Sequence, residues 1–409
     1  MKYIDFVNLK YKPEETDIIC KFYVEPEDAS IKEIAGGVAA ESSIGTWTEL
    51  TTIKHYVKKL AAHVFSIKGN DVKIAYPIEL FEEENMPNIL SSIAGNVFGL
   101  KTLKNLRLND IYFPPQLIKN FKGPKYGIEG IRKLLKVNAR PLVGTIIKPK
   151  LGLKTADHAE VAYEAWLGGC DIVKDDENLS NQRFNPFEDR VIKTLESRDK
   201  AEEETGERKV YMANVTAETK KMLKRAEFVL NHGGEYIMVD ILTCGFSALQ
   251  TLCEEDFDLV IHAHRAGHAA FTKDPKHGIS MQVIAKIARI IGVDQLHVGT
   301  GVGKMFETRK EVSENIEALK EEMNGLKRTF PVASGGLHPG LVPALIKFFG
   351  TDFIIQAGGG IHGHKEGTIS GSKAMRQAVD ATLKNIPLSE YAKTHKELEN
   401  ALQTWKEQD

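Results

Sequence analysis

Gly168-Gly169-Cys170-Asp171-Ile172-Val173-Lys174-Asp175-Asp176-Glu177 is the stretch whose reading decides the fold. A short apolar run ends abruptly in a lysine and three consecutive acids. Side chains alternate along a strand, so Lys174 and Asp176 share one face and Glu177 lies just beyond the strand end, while Asp175 points away. A primary amine and two carboxylates converging at a strand end suggest a divalent-metal site with a reactive lysine inside it. A helix start decorated with acids that complement its dipole fits the same letters. The choice between them depends on what surrounds the stretch.

Outward from it, short β-branched or apolar runs recur at 142–147, 171–174, 210–215, 236–241, 259–263, 295–298, 330–333 and 353–356. Helical patterns separate them, at 159–167, 220–230, 281–291, 341–349 and 374–383. About eight alternating βα units are what a closed parallel (β/α)8 barrel of the TIM type requires; an open doubly wound sheet is the alternative that periodicity cannot exclude. Barrel chemistry collects at the C-terminal ends of the strands. Lys148 and Lys150 follow the first run, and Lys174, Asp176 and Glu177 end the second. Asn214 and Thr216 end the third, His262, His264 and Arg265 the fifth, His297 and Thr300 the sixth. Ser334-Gly335-Gly336 and Gly358-Gly359-Gly360 close the last two. That sorting of polar residues to strand ends favours the metal reading.

Before residue 124 the rhythm is different. Strand-like alternation at 18–23 and 72–77, with helical spacing at 31–40 and 89–98, suggests a smaller α+β domain of ferredoxin-like type over 1–123. The Pro- and Gly-rich 114–127 reads as a linker to a barrel domain over 124–409.

The 409 residues carry a formal net charge of -2, with 42% hydrophobic and 27% charged residues, so nothing argues for nucleic acid or an anionic membrane as partner. Cys20, Cys170, Cys244 and Cys253 form no CxxC pair and read as buried thiols in a reducing compartment. The amino terminus lacks a signal-peptide core, and no apolar run is long enough to span a bilayer; a cytoplasmic location is expected.

Asp176 and Glu177 supply hard oxygens suited to Mg²⁺, whereas zinc would draw on His262 and His264. Lys174 as an ammonium, with an ordinary pKa of about 10.4, is a poor ligand. It fits as a Schiff-base nucleophile, or as a carbamate made by CO₂ on the neutral amine, or simply as the ion-pair partner of Asp176. Gly358, Gly360 and Gly363 match G-x-G-x-x-G only formally, because no acid follows at the required distance. The glycine stretches after the last two strands offer backbone amides to a phosphate. The run 299–305 fails the P-loop pattern and reads as a lid that carries Lys304. His264, on the same rim as Arg265 and the carboxylates, is an acid/base candidate.

These segments together resemble the large subunit of ribulose-bisphosphate carboxylase. Thr145-Ile146-Ile147-Lys148-Pro149-Lys150-Leu151-Gly152-Leu153 and 169–178 look like its two signature segments. His262-Ala263-His264-Arg265, the Lys304 loop, Ser334-Gly335-Gly336, Gly358-Gly359-Gly360, Glu41-Ser42-Ser43-Ile44-Gly45-Thr46-Trp47 and Gly95-Asn96-Val97-Phe98-Gly99 match as well. The chain length and Gly359-Gly360-Ile361-His362-Gly363-His364 look most like the archaeal form III branch.

The resemblance implies CO₂ addition to ribulose 1,5-bisphosphate, O₂ as a competing substrate, and Mg²⁺ held by carbamylated Lys174, Asp176 and Glu177. The carbamate would enolise the substrate at C3. Lys148 would protonate the last carbanion with Lys150 tuning it, Lys304 would stabilise the new carboxylate, and His264 would assist proton transfer. Arg265, His297 and Ser334 would grip one phosphate end; Thr46, Trp47, Gly336, Gly358 and Gly359 would hold the other, with Gly335 and Gln356 beside them. Glu41, Thr46, Trp47 and Asn96 would come from a partner subunit, so a homodimer is the expected minimum, with further assembly open and no small subunit. Archaeal members imply a role in AMP and nucleoside monophosphate degradation. An enolase or isomerase of the carboxylase-like group is the rival. Gly301, Phe306 and Gly267 depart from the family pattern, each beside a functional segment, and 312–331 looks short.

Overall fold

The computed structural model describes residues 1–303 and 307–405. The chain divides into two compact units, one of Met1–Lys122, Gly267–Ile291 and Glu322–Leu326, the other of Gly123–Ala266, Gly292–Glu321 and the residues from Lys327 onward.

The first unit is built on β1 (Ile18–Pro26), β2 (His63–Lys68), β3 (Asp71–Tyr76) and β4 (Leu103–Tyr112). Helix Ile31–Glu41 lies between β1 and β2, and Met86–Ile93 between β3 and β4, which is the βαββαβ pattern of ferredoxin-like folds. The sheet order is β10-β4-β1-β3-β2, with the short β10 (Gly278–Ile279) parallel to β4 and the other pairs antiparallel. The Ser30 hydroxyl caps the first helix by accepting from Glu33 N.

The helix expected at 89–98 is shifted. Capped by Asn85, it starts three residues earlier at Met86, Pro87 occupies its first turn, and it ends at Ile93. A Cβ on Gly95 would lie 2.0 Å from the Ser91 carbonyl oxygen, and 96–99 forms a separate 3₁₀ turn. The expected linker 114–127 contains a short helix, Pro115–Ile118. Helix Met281–Ile291, expected as a barrel helix, belongs to this first unit instead, where Lys286 Nζ donates to Asp110 Oδ1 (2.8 Å) and the Ile111 carbonyl at the end of β4.

The second unit closes eight parallel strands into a barrel: β5 (Leu142–Ile146), β6 (Ile172–Lys174), β7 (Val210–Asn214), β8 (Tyr236–Asp240), β9 (Val260–His264), β11 (Gln295–His297), β12 (Phe330–Ser334) and β13 (Ile354–Gln356). The β-branched runs thus form the closed sheet, and the open alternative is excluded. Leu142, Ile172, Val210, Tyr236, Val260, Phe330 and Ile354 fill its lower interior, with Met212, Met238 and Val332 one inward step higher. Helix Gly127–Leu135 plugs the bottom with Ile128, Ile131 and Leu135, spaced to share one face. Two residues further along each strand the same alternation delivers Lys174, Asn214, Asp240, His262, Ser334 and Gln356 to the upper interior. The site therefore grows out of the core pattern itself.

Candidate functional site

The chain's titratable cluster sits at the upper end of this barrel. Lys148 Nζ, just past β5, donates to Asp176 Oδ2 at 2.7 Å. Asp176 Oδ1 accepts from the Asn178 amide and side chain at 3.1 and 3.0 Å. Burial alone would raise the Asp176 carboxyl, yet these donors hold it below the ordinary carboxylate range.

Lys174 is 1% exposed. Its Nζ donates to the Asp175 carbonyl at 2.8 Å, meets Met238 Sδ at 3.2 Å and stands 3.8 Å from Glu177 Oε2. Burial lowers its pKa against the opposing pull of Glu177, Asp176, Asp240 and Asp175. Glu177 also faces His264, whose Nε2 lies 3.7 Å from the same Oε2. The other side of that ring meets Asp240 Oδ1 at 3.1 Å and accepts the Ala266 amide. Asp240 ends β8, a strand end that the sequence reading passed over although the barrel rule points to it.

Asp175 faces the other way. Its carboxylate takes Arg190 Nε (3.1 Å), Tyr211 Oη (2.7 Å) and the Asn214 amide (3.0 Å), with His158 Nε2 at 3.1 Å. Although burial opposes ionisation, these partners hold it far below the ordinary range. Asn214 then ties the acidic turn down, its Nδ2 donating to the carbonyls of Glu177 (3.1 Å) and Leu179 (3.0 Å).

His262 is not placed to serve as a metal ligand. Its Nδ1 meets Gln295 Oε1 at 2.8 Å and its Nε2 meets His297 Nε2 at 2.9 Å, deep in the barrel. Burial pushes His262 down to about 3 and His297 well below its ordinary value, so both rings are neutral. His297 in turn packs edge-on to His264, centroids 4.6 Å apart. Arg265, 6% exposed, pairs with Glu307 at 2.5 Å. Gln356 is fully buried over Gly144, its Nε2 on the Thr145 carbonyl at 3.0 Å, below the open rim.

Ser334, Gly335, Gly336, Gly358 and Gly359 stand at the tops of β12 and β13. Gly336 has φ +66, and a Cβ on Gly358 would crowd Lys148 Cε at 3.0 Å. His362, unassigned from sequence, reaches back from this turn to Thr145 Oγ1 at 2.9 Å and is held neutral by burial, at about 4. Lys150 is exposed in the loop after β5.

Gly301, a departure from the family pattern, has a packing reason: a Cβ there would stand 2.6 Å from Phe348 Cε1, so the ring fills that space. Around Gly267 the space is open, and its φ of +84 is what favours glycine. Lys304 and Phe306 lie outside the described residues.

In the first unit, Glu41 Oε1 accepts from Tyr3 Oη at 2.7 Å. Trp47 is 82% exposed, Thr46 precedes it in the same loop, and Asn96 is exposed at the start of the 96–99 turn. No group of three His, Cys, Asp or Glu able to hold a metal occurs among the described residues. Asp176 and Glu177 supply two hard oxygens, and Lys174 is a buried amine biased toward its neutral form. A third oxygen on that amine would complete a set suited to a hard cation, so the residues fit Mg²⁺ in that form.

A closed parallel barrel with lysines, carboxylates and histidines gathered on its C-terminal strand ends defines a TIM-barrel catalytic site. Residues 127–405 match the catalytic domain of the ribulose bisphosphate carboxylase large chain, and residues 5–117 match its N-terminal domain. A ribulose bisphosphate carboxylase from Methanocaldococcus jannaschii is 51% identical, over 98% of this chain and 100% of that one. The Pyrococcus furiosus protein of that name is also 51% identical, over 98% and 97%. Among solved structures, octameric Rubisco from Pyrococcus horikoshii, crystallised with sulfate, aligns with a TM-score of 0.96 at 49% identity, covering 99% of this chain and 97% of that one. Dimeric Rubisco from Hyperthermus butylicus aligns with a TM-score of 0.92 at 46% identity, covering 98% and 99%. The chain belongs to the ribulose-bisphosphate carboxylase large-chain family, and these relatives are archaeal, in keeping with the form III resemblance.

Proposed function

We propose that the chain is a Mg²⁺-dependent ribulose 1,5-bisphosphate carboxylase, a carbon–carbon lyase that combines CO₂ and water with its substrate to give two 3-phosphoglycerates. The observation that carries this reading is the convergence of Lys148, Lys174, Asp176, Glu177 and His264 on one end of the barrel. The names of its relatives support it.

Attack by the neutral Lys174 amine on CO₂ forms a C–N bond and releases a proton. The resulting carbamate joins Asp176 and Glu177 as the oxygens that would hold Mg²⁺. When bound, the ion supplies Lewis-acid stabilisation of negative charge developing on the substrate oxygens. The Lys174 carbamate is then the base for the C3 proton. Lys148, held 2.7 Å from Asp176 Oδ2, is the donor to the final carbanion, with Lys150 to tune it. His264 serves proton transfer, and Lys304 the carboxylate formed from CO₂. Arg265, His297 and Ser334 take one phosphate end. Gly335, Gly336, Gly358 and Gly359 take the other, with Gln356 beneath.

Glu41, Thr46, Trp47 and Asn96 would be contributed by the 1–123 domain of a partner subunit, in a homodimer that can assemble further without a small subunit; relatives form dimers and octamers. We further propose O₂ as a competing substrate, a cytoplasmic location and a role in AMP and nucleoside monophosphate degradation. The test is incorporation of labelled CO₂ into 3-phosphoglycerate from ribulose 1,5-bisphosphate with Mg²⁺. Proton exchange at C3 without incorporation would sink the carboxylase and favour a Rubisco-like enolase or isomerase.

A further inference from the structure

The glycine stretches above β12 and β13 are packed directly on each other. A Cβ on Gly360 would fall 1.9 Å from the Leu337 carbonyl oxygen and 2.8 Å from His338 Cα. Such loops have few side chains with which to fix themselves, and glycine loses the most conformational freedom on ordering. Something else must hold them.

Helix Lys396–Thr404, which follows the last βα unit, supplies contacts to both. The Trp405 indole stacks on the His338 ring, centroids 6.0 Å apart and planes inclined by 22°. The same indole stands 3.3 Å from where a Gly363 Cβ would project. His364 Nε2 meets the Glu397 carbonyl at 3.0 Å, and Asn400 Nδ2 donates to Glu366 Oε1 at 2.9 Å. Gln377 clamps the helix from behind, donating to Glu397 Oε2 (2.9 Å) and accepting from the Leu398 amide (3.0 Å). Leu398, Asn400 and Ala401 are buried, so the brace is packed as well as hydrogen-bonded.

We infer that helix Lys396–Thr404 with Trp405 is a positioning element that sets the spacing of the two glycine loops, and with it the affinity for a substrate phosphate. This rests on the reading above that these loops bind phosphate. The residue acts through His338 and Gly363 and has no contact of its own with the reacting atoms. Its loss therefore weakens binding and leaves the chemical step in place.

The full-length protein is assayed as wild type, Trp405→Ala, Trp405→Phe and Trp405→Leu. Phe228→Ala serves as control, since Phe228 stacks on His232 (centroids 4.0 Å) in a helix outside the site. Trp405→Ala is expected to raise KM for the bisphosphate about tenfold and weaken inhibition by inorganic phosphate equally, with kcat within about twofold. Phe should recover most of the loss and Leu less. If the alanine variant does not fold, the ranking Trp, Phe, Leu in KM carries the test. An unchanged KM, no such ranking, or losses shared with Phe228→Ala in step with Tm would overturn the inference. A wild type that fixes no CO₂ would instead remove the reading it rests on.

Discussion

The two ends of the barrel are both rich in charge and handle it in opposite ways. At the N-terminal end the Arg140, Arg132 and Arg208 guanidiniums each meet a carboxylate. Arg140 makes a bidentate pair with Asp171 at 2.6 and 2.7 Å, and Asp171 also takes the Val143 amide. Arg132 donates through two nitrogens to the one Oδ1 of Asp352, and Arg208 bridges Glu202 and Glu235. The cavity of about 620 Å³ there is lined by several of these groups, Arg140, Asp171, Glu202 and Arg208, with Glu207 and Arg376. At the C-terminal end, Glu177 stands 3.8 Å from Lys174 and 3.7 Å from His264, beyond hydrogen-bond length. Lys174 bonds to a carbonyl and a thioether, and no carboxylate lies within hydrogen-bonding distance of its Nζ among its described contacts. One end commits its charges to the fold; at the other, Lys148 pairs with Asp176 and Arg265 with Glu307, but Lys174, Glu177 and His264 are held short of mutual neutralisation, as the proposed site would require.

The largest expected effect tests the upper end. Asp176→Asn removes an oxygen proposed to bind Mg²⁺ and the carboxylate partner of Lys148, so CO₂ fixation should fall by about a thousandfold or more, while Tm stays close to wild type. Retained fixation would mean that the upper cluster is structural after all. Next comes the lower end. Arg140→Ala leaves Asp171, 1% exposed, with the Val143 amide and, at 3.6 Å, Arg376. Breaking a buried pair from one side costs about 3–5 kcal/mol, read as a lowered urea midpoint, with kcat of the folded protein unchanged. A large fall in kcat at full stability would erase the division between the two ends.

That division is partly legible in the sequence. The eight β-branched runs and the polar residues closing them suffice for the barrel and for Lys148, Lys174, Asp176, Glu177 and His264, because strand alternation fixes which side chains point inward. Helix Phe187–Thr205 is not visible this way: Arg190, Thr194 and Arg198 occupy buried positions of its stripe, which blurs the apolar period. Strands β2 and β4 escaped for a related reason, since β2 is largely half-buried and β4 pairs with β1 through two register shifts. Nor does a pattern reveal which sheet a helix joins: chain order alone puts Met281–Ile291 with the barrel, whereas it packs in the first unit. The His262–His297–His264 chain and the Asp240 contact are tertiary facts, set by strands adjacent in the barrel and up to thirty-five positions apart in sequence.

The smallest effect concerns pH at the lower end. Glu207 is partly buried, which alone would raise its carboxyl, but Lys209 Nζ at 2.8 Å and Arg376 at 3.1 Å bring it down to about 2. Because the folded value is depressed, the contribution to stability is fully present above the ordinary glutamate range near 4.5 and is lost as pH falls through about 2. With the Glu207 side chain 43% exposed, solvent screening limits that contribution to below about 1 kcal/mol. Unfolding free energy measured in urea from pH 5 to pH 2.5 should thus decline less steeply in Glu207→Gln than in wild type. Carbon dioxide fixation at neutral pH should be the same in both, since the charge removed belongs to the end of the barrel that only holds the fold. Parallel pH slopes in the two proteins would show that the Lys209 and Arg376 contacts do not bias Glu207 in solution.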